Sequence, residues 1–443
     1  MGYELVPLEA TQTEASVWIG VTSEPHALEL EVAGTARPID PGWTRWDAHG
    51  APALWAQRMT LAGLAPGRRY ALRLLDGGQE RASGTATTLP DTLPLLDQPA
   101  LSILLGSCFA HERDAGAASA AFTGLPLSSK PHLKLLCGDQ VYLDAPFPRF
   151  LITKFGPDDL QAVHLQTYLD SWGLVGGRTG LSGMLSDGAT FLSSDDHEYW
   201  NNAPERGAVV RNTWSSGDRQ NWRALATGLY QTFQAARPSA SFTIGQLSFF
   251  VIDTRIARAE DRSVFMPPVE LDALRVWVGG LTGPGMLVLG QVVFADRAGW
   301  MGHFLDWGLP DFDQYAEFVR LLMGSRHDIV VLTGDVHFGR VSGCVLPTGA
   351  ALIEVISSPL ALVDERAGGT WHAPPGLFPA FGIPGTTQQQ VWYADGYRVT
   401  GNHFATVELH SLGPRVRMTV RAWPIPAGGT RPVSSTTYER DLD

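Results

Sequence analysis

Short stretches of alternating apolar and polar residues occupy the beginning of the chain. Ala15–Val21 and Ala27–Val32 alternate in this way, and a turn at residues 65–68 leads into another alternating stretch that ends at Leu74. A period of two residues is typical of a β-strand that buries one face. The pattern therefore predicts a small β domain over residues 1–90.

The turns between these stretches make the prediction more specific. Short strands separated by glycine and proline are typical of a sandwich like a fibronectin type III module. The segment Thr87–Pro99 then contains three prolines and no period, which predicts a linker over residues 91–100. Residues 101–443 are predicted to form one larger domain.

Beyond the linker, apolar runs of strand length end abruptly in polar residues. The pairs of run and ending are Leu101–Leu105 with Gly106-Ser-Cys108, Leu133–Leu136 with Cys137-Gly-Asp139, Thr190–Leu192 with Asp195-Asp-His197, Phe249–Ile252 with Asp253, and Ile329–Leu332 with Gly334-Asp335. Such runs are typical of parallel strands buried on both faces. Residues just past their carboxyl ends lie in the crevice where α/β folds place their sites.

Other segments complete the α/β prediction. Helices are predicted at Trp222–Gln234 and Phe312–Met323, and three further strands at Ala351–Ile356, Ala405–Leu409 and Val416–Ala422. No internal repeat interrupts this order.

Composition excludes some classes of protein. Hydrophobic residues make up 44% of the 443 residues and charged residues 18%, which is typical of a globular chain and not of a disordered one. The net charge of -12 argues against a broad nucleic-acid-binding surface. A phosphate substrate stays possible, because bound cations can reverse the local sign in an acidic pocket.

The cysteines and the N-terminus bear on the compartment. Three scattered cysteines, Cys108, Cys137 and Cys344, are too few for a disulfide framework. The first 20 residues lack the basic and apolar regions of a signal peptide, and no apolar run reaches the length of a membrane span. The sequence therefore predicts a cytoplasmic protein without a transmembrane segment, and it leaves the oligomeric state open.

Candidate metal ligands recur at the predicted strand ends. They are Cys108, Asp139, Tyr142, Asp196, His197, Asp335 and His337. Singly, a Gly-Asp pair is usually a turn and a lone histidine usually a core residue. Together, these groups would repel one another severely unless cations offset their charge. Two cations that share one carboxylate, most plausibly Asp139, would do so and would activate water.

At this point the blocks resemble a known family. Gly138-Asp-Gln-Val-Tyr142, Asp195-Asp-His-Glu198 and Gly334-Asp-Val-His337 are similar to the metal-binding blocks of the calcineurin-like metallophosphoesterases. Gly106-Ser-Cys108 and Asp253-Thr-Arg255 point to the PhoD-like alkaline phosphatase/phosphodiesterase branch. The resemblance implies a four-layer α/β/β/α metallophosphoesterase catalytic domain over residues 101–443, preceded by the small β-sandwich.

The resemblance also implies metal ligands. Cys108, Asp139, Tyr142 and His337 match the ligands of a first metal, which is iron(III) in the best-known branch. Asp139, Asp196 and Asp335 match those of a second metal. Iron(III) with calcium is the expected pair, with manganese or zinc as alternatives.

Further roles follow from the same resemblance. His197 is expected to donate a proton and Arg255 to clamp the phosphate, although Arg255 could instead form a structural pair with Asp253. Asp144 and Asn202, which lie beside matched residues, are expected to support the ligands from behind or to add a ligand, and Asp195 is expected to support its neighbour and not to bind metal.

The expected function is hydrolysis of a small phosphate ester, either a diester, a monoester or both, by a metal-bound hydroxide. One alternative is a phospholipase D-like phosphodiesterase that cleaves phospholipids. An alternative from another class is a catalytically silent metal-binding scaffold whose β module binds a partner.

Overall fold

The computed structural model of the chain describes residues 2–175, 180–303, 306–362, 369–426 and 432–443. Its N-terminal part contains two antiparallel four-stranded sheets. The strands are β1 Tyr3–Ala10, β2 Glu14–Val21, β3 Leu28–Val32, β4 Thr35–Pro38, β5 Thr44–Trp46, β6 Leu54–Ala62, β7 Arg69–Asp76 and β8 Gln79–Thr87. Their spatial orders are β1-β2-β6-β5 and β4-β3-β7-β8.

The strand β2 is covered on both faces, whereas its sequence predicted one buried face. Val17 and Ile19 pack into the core that the N-terminal sheets share with the rest of the chain. Trp18 points the other way, and its ring lies 5.2 Å from that of Phe233. The second face is apolar here because the larger part of the chain covers it.

Fifteen strands and eight α-helices of the described ranges follow. The strands are β9 Leu101–Gly106, β10 Leu133–Cys137, β11 Ala189–Ser193, β12 Ser239–Ile244, β13 Leu247–Ile252, β14 Gly285–Val288, β15 Ile329–Thr333, β16 Gly339–Val345, β17 Ala351–Ile356, β18 Leu377–Phe378, β19 Gln389–Gln390, β20 Trp392–Val399, β21 His403–Leu412, β22 Arg415–Pro424 and β23 Thr436–Leu442. The helices are α1 His111–Asp114, α2 Ala117–Thr123, α3 Phe147–Ile152, α4 Pro157–Ser171, α5 Ser182–Leu185, α6 Ser216–Phe233, α7 Pro268–Gly279 and α8 Tyr315–Met323.

Most of these strands form two sheets that pack face to face. One sheet has the order β11-β10-β9-β21-β22-β23 and the other β12-β13-β14-β15-β17-β16-β20. Alternate side chains of one strand enter different layers: Leu105 packs between the sheets, whereas Leu104 packs under α2, α4 and α6. On the other sheet Leu332 faces inward, and Val331 faces α7 and α8. The layers are therefore helices, sheet, sheet and helices.

Parallel pairing explains why polar residues meet at one edge. Strands β9, β10 and β11 run parallel in one sheet, and β13, β14, β15 and β17 run parallel in the other. The carboxyl ends of parallel strands share an edge, so the loops that follow them are neighbours. Among the described helices, none combines the length and the apolar character that a membrane span requires.

Candidate metal centre

The predicted ligands follow β9, β10, β11 and β15 on tightly turned backbone. Cys108, Asp139, Asp335 and His337 have φ values of 58°, 59°, 70° and 61°. This left-handed region costs a residue with a Cβ atom about 1–3 kcal/mol, and such strain concentrates at functional sites. Only nine non-glycine residues of the described ranges have a positive φ. That four of them are predicted ligands marks this edge of the sheets as a candidate site.

One group of side chains combines sulfur, phenol and imidazole. The Cys108 thiol lies 3.5 Å from Asp139 Oδ2, and the Tyr142 hydroxyl lies 3.4 Å from His337 Nε2. Cys108 and Tyr142 also pack together in a small buried cluster. The structure thus brings together the four residues that the sequence assigned to a first metal.

A second group consists of carboxylates. Oxygens of Asp139, Asp195, Asp196 and Asp335 all lie within 4.8 Å of one another, and Asp139, Asp196 and His197 satisfy the same limit. Asp139 belongs to both groups, as a bridging ligand must. Asp195, which was expected to support its neighbour, lies among the predicted ligands themselves.

Two of the buried oxygens that have no hydrogen-bond partner within the described part of the chain adjoin the carboxylate group. They are Asp195 Oδ2 and Asn202 Oδ1. Asn202 adjoins the carboxylates because its backbone N–H donates to Asp196 Oδ2 at 3.1 Å. Since a buried oxygen without a donor is costly, both atoms suit a cation. These two oxygens and the neighbouring carboxylate, thiol, phenol and imidazole groups form a set of donors that fits two metal ions.

The raised pKa values of the acidic groups also indicate that bound positive charge would stabilise the site. Burial raises the pKa of the Asp139 carboxyl well above its usual value, and neighbouring acidic groups raise it further. The pKa of Asp335 is raised well above its usual value by burial and by Asp195 and Asp196. Burial also raises the pKa of the Cys108 thiol to about 12. Cations between these groups would favour their ionised forms and lower these pKa values.

His197 is held by a buried carboxylate. Its Nδ1 lies 2.7 Å from Asp144 Oδ1, and Asp144 Oδ2 accepts from the backbone N–H of Asn201 at 2.7 Å. Burial lowers the pKa of His197, but the charges of Asp144 and Asp196 outweigh this, so the pKa lies well above its usual value. Asp144 therefore orients His197, and it leaves Nε2 on the side of Asp196, 4.0 Å from Oδ2.

Glu198 is a functional residue that the sequence reasoning missed. Its Oε2 accepts from the backbone N–H groups of Asp139 and Asp195 at 2.8 and 2.9 Å. Its Oε1 accepts from Gln140 N at 2.7 Å and from Gln234 Nε2 at 3.2 Å. One carboxylate thus ties the loop after β10 to the loop after β11. The signal was present as an Asp-x-x-Glu capping box, Asp195 to Glu198.

The predicted phosphate clamp, Arg255, is bound to protein groups in this structure. Its side chain is fully buried between two carboxylates, at 2.7 Å from both Asp195 Oδ1 and Asp306 Oδ2. Nη1 also donates to the Ala203 carbonyl at 2.7 Å. The guanidinium does not form the alternative pair with Asp253 either, because of the Arg255 donors only the backbone N–H bonds to Asp253, at 2.8 Å. Arg255 is a positioning residue that holds Asp195 in place.

A cleft of about 610 Å³ opens above these groups. Asp139, Asp196, His197, Asp335 and His337 all contribute to its lining. A volume of this size is in the range of small-molecule sites. The candidate metal centre is therefore accessible to a ligand of moderate size.

Comparisons with known proteins place this geometry in context. No family model and no curated protein matches the chain. The solved structure of PhoD is similar, with a TM-score of 0.67 and 16% sequence identity over 99% of this chain and 91% of that one. A purple acid phosphatase from yellow lupin seeds is also similar, with a TM-score of 0.56 and 10% identity over 99% of this chain and 73% of that one.

These two similarities bear on the predicted fold. Both structures span nearly the whole chain, so the resemblance extends beyond the motif-bearing loops. The predicted α/β fold class, with a β module before a four-layer domain, is confirmed. The domain boundaries at residues 90 and 100 stay a prediction.

Proposed function

We propose that the chain is a metal-dependent phosphoesterase of the PhoD-like kind. The observation that carries the proposal is the convergence of four carboxylates within 4.8 Å beside a thiol, a phenol and an imidazole. Buried like charges in this number are otherwise hard to reconcile with a stable fold. The similarity of fold to PhoD and to a purple acid phosphatase supports the same reading.

Two bound cations would polarise a phosphoryl oxygen and make water nucleophilic at neutral pH. Cys108, Asp139, Tyr142 and His337 would hold one cation. Asp139, Asp196 and Asp335 would hold the other, with Asp195 Oδ2 or Asn202 Oδ1 as a further donor. Thiolate, phenolate and imidazole together suit a transition ion such as iron(III), and the carboxylate oxygens suit calcium, with manganese or zinc as the alternative.

His197 is the proposed proton donor to the leaving oxygen. Asp144 fixes one ring nitrogen at 2.7 Å, so Nε2 is the nitrogen that can give up a proton toward the cleft. Electrostatic support comes from Asp144 itself, because its charge favours the protonated ring. Within the described residues, the Arg255 guanidinium already donates to Asp195, Asp306 and the Ala203 carbonyl, so we propose no role for it in the transfer.

The substrate class is the finer part of the proposal. The cleft admits a small phosphate ester, and diesters and monoesters are both candidates. Cleavage of phospholipids remains the enzymatic alternative. A catalytically silent scaffold is the weaker proposal, because every predicted ligand is present and adjoins another.

The decisive experiment removes the shared ligand. Asp139→Asn should abolish nearly all hydrolysis of bis(p-nitrophenyl) phosphate and should lower the metal content of the purified protein, since the same carboxylate would hold both cations. Asp97→Asn, at an exposed position, is the matched control and should change neither. Full metal content with normal turnover in Asp139→Asn would refute the two-metal assignment. A panel of monoesters, diesters and phospholipids would then fix the substrate class.

A further inference from the structure

A second, smaller cavity adjoins the candidate metal centre. It has a volume of about 220 Å³. Six of its lining residues are apolar or aromatic: Ala110, Tyr142, Ala145, Pro146, Phe147 and Pro148. His111 also lines the cavity, and its Nε2 lies 3.9 Å from the Asp170 carboxylate. Glu112 and Arg113 at its edge are exposed and of opposite sign, so their charges do not favour an ion of either sign. The cavity is suited to an uncharged, apolar group.

This cavity is continuous with the proposed chemistry through two aromatic rings. The Tyr142 ring forms part of its wall, while the Tyr142 hydroxyl lies 3.4 Å from His337 Nε2 in the metal centre. Phe147 lines both the small cavity and the larger cleft. The same two rings lie against His197, at centroid distances of 4.2 Å for Tyr142 and 6.0 Å for Phe147. A group bound in the cavity would therefore lie beside a phosphate held at the candidate metal centre.

We infer that this cavity, the Tyr142–Phe147 pocket, binds one ester substituent of the substrate, and that this substituent is a single aromatic ring or an apolar group of similar size. Size supports the assignment, since an apolar cavity of about 150 Å³ is known to accept benzene. The Tyr142 and Phe147 rings would provide aromatic contacts for such a ring. The inference rests on the proposed phosphoesterase function.

The two cavities together specify a type of substrate. A diester carries two substituents on one phosphate, and the structure offers a small apolar cavity and a larger cleft on the two sides of Phe147. A monoester can occupy only one of them. The arrangement therefore favours a diester with one compact apolar arm over a simple monoester.

The test uses phosphonates, whose carbon–phosphorus bond the enzyme cannot hydrolyse. Binding of phenylphosphonate and methylphosphonate to the metal-loaded protein is measured by calorimetry. The phenyl compound should bind at least about tenfold more tightly, because its ring buries more apolar surface. Ala145→Leu extends a half-buried side chain of the pocket wall by an isopropyl group. This variant should bring the ratio of the two affinities to within about twofold of unity.

Matched variants keep the result interpretable. Ala162→Leu makes the same change at a half-buried position of α4 that lines neither cavity, and should keep the preference for phenylphosphonate. Ala145→Val should give an intermediate ratio, which keeps the test available if the leucine variant does not fold. Equal affinities in the unmodified protein, or a phenyl preference that survives in Ala145→Leu, would overturn the inference.

Hydrolysis of bis(p-nitrophenyl) phosphate by the unmodified protein is measured in parallel. Its absence would refute the proposed function, whereas hydrolysis without discrimination between the phosphonates would refute only the pocket assignment.

Discussion

Removing the Glu198 carboxylate tests whether the two ligand-bearing loops depend on one buried clamp. In Glu198→Ala the backbone N–H groups of Asp139, Gln140 and Asp195 lose their acceptor. A buried donor left unsatisfied costs about 1–3 kcal/mol, so three cost about 3–9 kcal/mol. This is comparable with the whole stability of an ordinary domain, about 5–15 kcal/mol. The variant is expected to be severely destabilised and to lose metal.

Glu198→Gln should destabilise the protein much less than Glu198→Ala, because the glutamine amide can keep most of the hydrogen bonds of the carboxylate. The amide oxygen can keep the two bonds from Asp139 and Asp195, and its NH₂ group then faces Gln140 and Gln234. Gln234 Oε1 is buried without a partner within the described residues, so a flip of that amide supplies an acceptor. Only the Gln140 N–H stays unsatisfied, at a cost of about 1–3 kcal/mol. Metal content should stay near normal.

The assay is urea unfolding of both variants, with and without a chelator, together with metal analysis of the purified proteins. Glu24→Gln, at an exposed position, is the control and should shift the stability by no more than about 0.5 kcal/mol. The reasoning fails if Glu198→Ala keeps full metal and a stability close to that of the unmodified protein. The reasoning also fails if Glu198→Gln and Glu198→Ala lower the stability equally. The Glu198 contacts would then depend on its charge and not on the hydrogen bonds that it accepts.

Three further predictions follow from single side chains. If Tyr142 binds iron(III) as a phenolate, the purified protein absorbs visible light and Tyr142→Phe shifts or bleaches the band; fully active, colourless protein would exclude an iron requirement. His197→Ala should keep its metal but lose roughly 10²–10⁴-fold of its activity on alkyl esters and clearly less on nitrophenyl esters, and an equal loss on both would refute proton donation. His164 has both ring nitrogens buried without a hydrogen-bond partner in the described ranges, and burial lowers its pKa to about 3. The unfolded chain takes up this proton below about pH 6.5 and the folded chain does not. Stability is therefore lost as the pH falls from 6.5 toward 3, and His164→Leu should remove about 2 kcal/mol of that loss at pH 5 in urea unfolding.

The strands that position the site were predictable because they are apolar on both faces. The predicted runs at Leu133–Leu136 and Ile329–Leu332 lie within β10 and β15. The start of α6 was misplaced by six residues, at Trp222 instead of Ser216. Its first turn is polar and exposed, so the apolar period begins late. The residue that marks the true start of α6 is the N-cap Ser215, whose side chain accepts a hydrogen bond from the backbone N–H of Asp218.

The candidate ligands were predictable and their supports were not. Cys108, Asp139 and Asp335 closely follow apolar runs that form parallel strands. Residues just past the carboxyl ends of such strands lie at one edge of the sheet, so the position of these three could be predicted. The partner of Arg255 is Asp306, 51 residues away along the chain, and no spacing in the sequence links the two. The family resemblance implied a phosphate clamp at Arg255, whereas the folded chain shows the guanidinium bonded to the carboxylates of Asp195 and Asp306.

Buried acidic residues behind the ligands give the site its rigidity. Besides Glu198, Asp253 accepts from Ser194 N at 3.0 Å and from the Tyr230 hydroxyl at 2.8 Å, and so anchors the loop that leads to Asp195. A buried carboxylate that accepts several N–H and O–H donors fixes backbone that would otherwise relax. The strain of the left-handed backbone at Asp139 is tolerable for this reason, because Glu198 holds its N–H. Part of the acidic excess of the chain therefore lies inside the protein. There it fixes the positions that ligands must occupy before a cation binds, and a centre built in this way loses little entropy when the metals enter.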